Sequence, residues 1–363
     1  MIGAPRGTTD MLRRTSAALA LAATGLVPPA GAQDGDALPL APLALRWSST
    51  QGFEIPADRP DRHAPIGIVG DHAAESGAWI LSYRFLRSDH DGLIDGESEV
   101  TEDEVFGEGF VETPESLVRE THFLSALYGI DERVSFLVTL PWVSNAMDSV
   151  TFAGETFDTR TIGLGDVRFT GLYSLRRKEE ERFELSLGVS LPTGSTDEKD
   201  ATPSTGGQSL KLPYPMQLGS GTVDLHPGLT FVRFAEETSW GAQVQGTLRL
   251  GENSDDYTLG DRVELSAWIA RLFQEDLSGS LRVAFVHEGE IDGRDEDIDP
   301  TITPAADPDA QGGDRFDVFV GVHYTRPGGH RFAAELGGPL LQDLNGPQVE
   351  ADVYYALGWQ FSF

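Results

Sequence analysis

The chain has 363 residues, no cysteine, and 58 acidic against 27 basic residues, a formal net charge of −31. Zero cysteines exclude thiol catalysis and cysteine-ligated metals, and the acidic excess excludes nucleic-acid binding through phosphate contacts. No run of eighteen apolar residues is present, so no transmembrane helix is expected, and 41 glycines with few helix-length amphipathic stretches predict an all-β protein.

At the amino terminus Arg13 and Arg14 precede an apolar run over about 17–27, followed by Ala30-Gly31-Ala32. This is a charged region, an apolar region too short to span a bilayer, and a small-x-small cleavage site, so residues 1–32 are expected to be a signal peptide for general secretion. Its removal takes Arg6, Arg13, Arg14 and Asp10, leaving 24 basic against 57 acidic residues, a net −33. Residues 33–76 are punctuated by Pro, Asp and Arg, which disfavours a compact domain. They are expected to form a periplasmic or luminal plug, or a flexible lead.

From residue 77 onward, twelve segments alternate apolar with polar or small residues: 77–87, 118–128, 133–143, 164–176, 182–191, 224–234, 239–250, 261–272, 278–288, 315–325, 330–338 and 351–363. Strand side chains point alternately to opposite faces, so each segment has one greasy face and one polar face. Phe183, Leu185, Leu187, Val189 and Leu191 alternate with Glu184, Ser186, Gly188 and Ser190; Phe316, Val318, Val320, Val322 and Tyr324 alternate with Asp317, Phe319, Gly321 and His323. The facing of 118–128 cannot be assigned from its pattern.

After odd-numbered segments the connections are long, over 88–117, 144–163, 192–223, 251–260, 289–314 and 339–350; after even ones they are tight turns. An outer-membrane barrel has this rhythm, with long external loops and short periplasmic turns, and a β-sandwich has no cause to keep it. The expected fold is therefore a transmembrane antiparallel β-barrel of about 12 strands spanning 77–363, in the outer membrane of a Gram-negative bacterium.

The chain ends VYYALGWQFSF, with Val353, Tyr355, Leu357, Trp359, Phe361 and Phe363 on one face. Backbone groups in lipid must all be paired, so this last strand is expected to close against the first with its aromatic face on lipid. A terminal Phe363 with aromatics two and four places earlier resembles the signal read by barrel-insertion machinery, which is one expected partner; outer-membrane lipid and lipopolysaccharide are others. Trp79, Trp142, Trp240 and Trp359 suit interfacial girdles, whereas Trp268 has the parity of a lumen residue.

Four stretches, GLGDVRFTGLYSL (163–175), LSLGVSLPTGS (185–195), LPYPMQLGSGTVDLHPGLTF (212–231) and DLNGPQVEADVYYALGWQFSF (343–363), resemble the outer-membrane transporters of the meta-pathway phenol-degradation family. The resemblance runs from about residue 68 onward and implies transport of small, including aromatic, solutes, with no catalytic residues and no cofactor. It also implies, from relatives with a Met- and His-rich first strand, a link to metals; here the matching stretch keeps His72 and His90 and has no methionine.

Inward parity places Arg84, Asp166, Arg168, Glu184, Arg249, Arg262, Glu264, Arg282, Asp317, Arg331, Glu335 and Asp352 in the lumen. Such mixed charges either tune a pore or pair with one another to fill a barrel, and they argue against strong ion selectivity. The loop over 88–116 holds eleven acids and no base, and that over 289–314 nine acids and one Arg. Asp89, Asp91, Asp95, Asp295, Asp297 and Asp299 are the weak metal candidates, though neither loop has EF-hand spacing. The segment LKLPYPMQLGSGT (210–222) is either an inward constriction or an ordered surface turn. No HExxH or Ser-His context points to an enzyme. The sequence thus predicts a passive channel or transporter for small solutes; alternatives are a divalent-cation transporter and a structural barrel.

Overall fold

A computed structural model describes residues 59–363; the expected signal peptide and the rest of the amino-terminal segment, 33–58, lie outside the described residues. The strands are β1 (Trp79–Gly96), β2 (Ser98–Val100), β3 (Glu112–Gly129), β4 (Val134–Thr151), β5 (Thr156–Leu164), β6 (Val167–Lys178), β7 (Glu181–Leu191), β8 (Lys199–Ala201) and β9 (Ser209–Lys211). They continue with β10 (Val223–Phe234), β11 (Thr238–Leu250), β12 (Tyr257–Thr258), β13 (Arg262–Gln274), β14 (Leu277–Glu288), β15 (Asp292–Gly293), β16 (Gly313–Arg326) and β17 (His330–Ser362).

Eleven strands make a ring in the order β1-β3-β4-β6-β7-β10-β11-β13-β14-β16-β17, and β17 pairs back to β1; β2 and β5 are additional strands on β1 and β4. Every pairing is antiparallel, which an odd ring cannot satisfy unless one strand runs both ways. β17 does so: residues 330–344 pair with β16 and residues 344–362 with β1. The reversal lies at Asn345-Gly346, where Gly346 takes φ +71, a conformation that disfavours a Cβ. The wall thus has twelve passes, and the fold is the expected all-β antiparallel barrel. At the seam Trp79 and Phe363 exchange both backbone hydrogen bonds at 2.9 Å, so the last residue is paired.

The outer face is apolar: Leu187, Val320 and Leu357 are each more than half exposed, while Glu184, Ser190, Asp224 and Thr230 on the inner face are almost fully buried. In water that arrangement would be inverted relative to the hydrophobic effect, and a bilayer restores it. Trp79, Trp142 and Trp240 are exposed on this face, and Trp268 is buried inside, 4 % exposed.

Three connections differ from expectation. The hairpin of β4 and β5 extends the wall through 144–163 and turns at 152–155, so no long loop exists there. Residues 339–350 are likewise mostly strand. Within 88–117, β1 continues to Gly96 and pairs with β2, and a short helix α1 (Glu102–Gly107) follows. Its capping box was present in the sequence as Thr101-x-x-Glu104: Thr101 N–H donates to Glu104 Oε2 at 2.8 Å, and the Glu104 N–H returns to Thr101 Oγ1. The Thr101 N–H and the Thr101 hydroxyl, both donating to Oε2, hold the exposed Glu104 carboxyl below its usual value. Along these spans residues such as Leu93, Ile94, Met147 and Val150 are buried inside, so the alternation that marks the lipid-facing wall is lost.

Asp352 is also corrected, since it is exposed rather than luminal. The register of β1 against β17 slips from Asp89↔Val353 to His90↔Ala351, a bulge that buries Ala351 and turns Asp352 outward.

A charge on the outer face gives a direct check. Leu187→Arg is expected to destabilise the barrel in lipid by about 2–4 kcal/mol if it sits near the midplane. The measurement is urea unfolding in liposomes, where a soluble protein's exposed Leu would tolerate the change.

Candidate functional site

Two chain segments narrow the lumen. The first is the stretch 59–78, which lies against the inner wall on many sides. Near the short-turn end, Arg59 pairs with Asp61 and donates to Glu236 O at 2.6 Å, while Arg62 donates to Glu179 O at 2.8 Å. The guanidiniums of Arg62 and Arg182 sit 4.7 and 4.8 Å from the Phe234 ring centroid. Further along, Arg84 donates to Ile66 O, the Gly67 N–H to Glu335 Oε2 at 2.9 Å, and Gln243 to Val69 O at 2.9 Å. The Ala74 N–H bonds Ser135 Oγ at 2.9 Å, and the Gly77 N–H bonds Gly129 O at 2.8 Å as β1 begins. Ala64 and Ile68 share an apolar cluster with Val232, Phe234 and the inward Trp268.

Gly67 is required by this approach. A Cβ there would lie 2.3 Å from Arg282 Nη2 and 2.8 Å from Glu335 Oε2. Those two groups form a two-point ion pair at 3.0 and 3.1 Å and cannot yield cheaply.

The second segment is the loop 212–219, which folds inward from the long-loop end. Along β5, whose second edge has no strand partner among the described residues, Thr161 Oγ1 donates to Met216 O at 2.8 Å. Arg119 donates to Pro215 O at 2.7 Å. Met216 is fully buried among Leu117, Met147, Leu212 and Ala305, and the Tyr214 ring packs edge-on to Tyr257 at 5.0 Å. The loop root is fixed by Asp166, which accepts from Gly194 N–H, Ser220 N–H and Ser220 Oγ at 2.8–3.0 Å. Lys211, 1 % exposed, is held between Asp255 at 3.0 Å and Asp295 at 2.5 Å, tying three outer loops together. The stretch 210–222 is therefore an inward constriction and not a surface turn.

Between these two segments lies a cavity of about 450 Å³, walled by Arg84, Arg119, Asp166, Arg168, His226 and Arg331 among polar groups and by Phe123, Leu127, Leu137 and Leu172 among apolar ones. A second cavity of about 210 Å³ opens toward the long loops and shares Arg119, Tyr214 and Leu259 with the first. These three residues lie where the two cavities adjoin.

Of the expected lumen residues, Arg84, Asp166, Arg168 and Arg331 face the larger cavity. The others are in the barrel interior as internal bonds: Arg249 with Asp224, Arg262 with Glu264, Arg282 with Glu335, Asp317 with Arg315 at 3.7 Å, and Glu184 with Ser174. The facing of β3 is now assigned. Arg119, Thr121, Phe123 and Ser125 point inward, with Leu117 and Leu127 buried on the same face. His122 faces outward and bonds Tyr83 Oη at 2.7 Å. Apolar residues face inward here because the inward segments supply apolar partners, which hides the usual alternation.

The acidic metal candidates are not drawn into one cluster. Asp89 pairs with Arg87 at 2.7 Å, Asp91 and Asp95 are exposed, Asp295 binds Lys211, Asp297 donates its N–H to Asp295, and Asp299 binds Thr301. What the fold does assemble is His63, Asp71 and His72, whose ligand atoms lie within 4.8 Å of one another. The His63 Nδ1 is buried without a hydrogen-bond partner, and Asp71 accepts from the Ala64 N–H at 3.1 Å beside His72 at 2.9 Å. Burial pushes the His63 imidazole well below its usual value, which keeps it neutral as a ligand must be. Burial would raise the Asp71 carboxyl, but His72 and Arg331 hold it well below the carboxylate range.

The strands also create a pair no local motif could show. Ser190 Oγ lies 2.9 Å from His226 Nε2. His226 Nδ1, however, faces Thr247 Oγ1 at 3.1 Å and not a carboxylate, and Asp224 is engaged by Ser220, Thr222 and Arg249. The histidine thus lacks the acid that would orient it as a base.

Comparison with known proteins places the fold. No protein-family model and no curated protein matches the chain. Among solved structures, it is similar to the COG4313 outer membrane channel from Pseudomonas putida F1, with TM-score 0.58 and 16 % identity over 81 % of this chain and 98 % of that one. It also matches the β domain of the Bordetella autotransporter BrkA at TM-score 0.44 and the KdgM porin at 0.37, both 10 % identical. These matches cover 79 % and 78 % of this chain and 100 % and 99 % of theirs. The first match establishes an outer-membrane β-barrel fold; at this identity the likeness does not extend to the narrower phenol-degradation family.

Gly67→Val tests how the amino-terminal segment is seated. The added carbons are expected to cost about 1–3 kcal/mol locally and to release the segment from the lumen. Limited proteolysis should then cut before residue 77 while the barrel core stays resistant; unchanged protection would contradict the seating.

Proposed function

We propose that this barrel conducts small organic solutes, aromatic ones included, across the outer membrane through a lumen narrowed at both ends. The observation that carries the reading is the pair of cavities, adjoining at Arg119, Tyr214 and Leu259, inside a closed wall. A purely structural barrel would gain by filling that space, since empty or wet cavities cost packing. The larger cavity has the size and mixed lining of small-molecule sites, apolar walls with a few polar groups. The solved channel it resembles supports the reading through fold alone.

Under this reading the amino-terminal segment gates the short-turn end, because its hydrogen bonds reach β1, β4, β11 and β17 and no strand pairing depends on it. Planar-bilayer conductance of the mature protein tests it. The full protein is expected to carry small currents, and a form lacking 33–76 larger, steady ones. Silence from both, with folding verified, would refute a channel.

A second reading, divalent-metal handling, is favoured by one observation, the His63–Asp71–His72 group, a ligand set suited to zinc or copper. Under it, calorimetry with zinc shows one saturable site per chain that His63→Ala together with His72→Ala abolishes. Absence of saturable binding removes this reading and leaves the first intact.

A further inference from the structure

We infer that the larger cavity is an anion site, selecting small organic molecules that carry a carboxylate or similar oxyanion on an apolar body. This deepens the channel reading and rests on it. The sequence presented the lumen charges as a mixture; the structure sorts them into two classes. Arg249, Arg262, Arg282 and Arg315 are each ion-paired to a carboxylate of the wall. The four arginines that line the cavity are not paired in that way.

Arg84 donates to Ile66 O at 3.2 Å and lies 4.8 Å over the Phe123 ring. Arg119 donates to Asn145 Oδ1 at 3.0 Å and to Pro215 O. Arg331 bonds Gln360 and feels the Asp71 charge without an ion-pair contact. Arg168 has neither a hydrogen bond nor an ion pair among the described residues. Arg84 and Arg168 both line the same space.

The two acids on the cavity wall offset only part of this, and both are fixed in place by the wall. Asp166 is committed to Gly194 and Ser220, and Asp71 to His72 and Ala64. A chain of net charge −31 therefore surrounds its central cavity with four cations against two engaged acids. Gathering like charges in a confined space is unfavourable unless an opposite charge enters. A guanidinium fork matches a carboxylate's geometry, and Phe123, Leu127, Leu137 and Leu172 offer the apolar body its contact. The acidic outer loops do not bar entry, because exposed charges are screened beyond about 8–10 Å at physiological salt.

The test uses refolded mature protein, with benzoate and its neutral counterpart benzyl alcohol as probes. Variants are Arg84→Gln with Arg168→Gln, and, as a control, Arg176→Gln, which is exposed at the short-turn end. In a potassium chloride gradient the wild type is expected to favour chloride over potassium, and benzoate to block current where benzyl alcohol does not. The double variant should lose that preference and weaken benzoate binding by about tenfold or more, read by calorimetry; the control should change neither. Currents that favour potassium, or equal binding of both probes, would overturn the anion site while leaving a channel. If no form carries current, the channel reading fails. Calorimetry then decides the site alone: benzoate binding lost in the double variant supports it, and binding absent or unchanged overturns it.

Discussion

The hydrogen bonds between Trp79 and Phe363 close the wall, and the rest of the structure depends on that closure. In hydrocarbon an unpaired backbone group has no water to turn to, so an open sheet edge is not viable there. Closure fixes an even number of passes, which forces the 33-residue β17 to fold back on itself at Asn345-Gly346. It also explains the bare aromatic terminus. Phe363 is exposed because lipid is its solvent, and its backbone is satisfied because the first strand is its neighbour.

A closed wall encloses space, and two segments from opposite ends of the barrel occupy much of it. The amino-terminal stretch is held by polar bonds to many strands, with Gly67 admitting its closest approach to the Arg282–Glu335 pair. The 212–219 loop is held by apolar burial of Met216 and by the Asp166 root. Both also bury apolar groups: Ala64, Ile68, Ala73 and Ala74 in the amino-terminal stretch, and Met216 with the Tyr214–Tyr257 contact in the loop, so neither leaves without exposing apolar surface. The amino-terminal stretch adds the larger set of polar bonds, which water can replace.

The wall was legible in the sequence because lipid on one side and polar lumen on the other impose a strict period of two, as in Leu185, Leu187 and Val189 against Glu184, Ser186 and Ser190. Legibility failed where either solvent was absent. β3 could not be faced because Leu117, Phe123 and Leu127 point inward onto inserted chain. The β4–β5 hairpin passed for a loop because its inner face, Met147 and Thr161 included, is buried by the inserted loop, which its polar sequence does not show. Asp352 was misplaced by one bulge. Charge pairing was illegible throughout: parity puts Arg168 and Arg282 in the same lumen, but only the structure shows that Arg282 has Glu335 and that Arg168 has no ion-pair partner among the described residues.

The amino-terminal segment sits inside the wall, and the proposed channel requires that it control passage. The chain has no native cysteine, so a single engineered pair can be read without background. Ala74→Cys with Ser135→Cys joins the segment to β4 where the Ala74 N–H now meets Ser135 Oγ at 2.9 Å. The account predicts near-complete disulfide formation on oxidation, low conductance while the bond holds, and a rise in current on reduction. Failure to cross-link in the folded barrel, or a conductance indifferent to the bond, would contradict it.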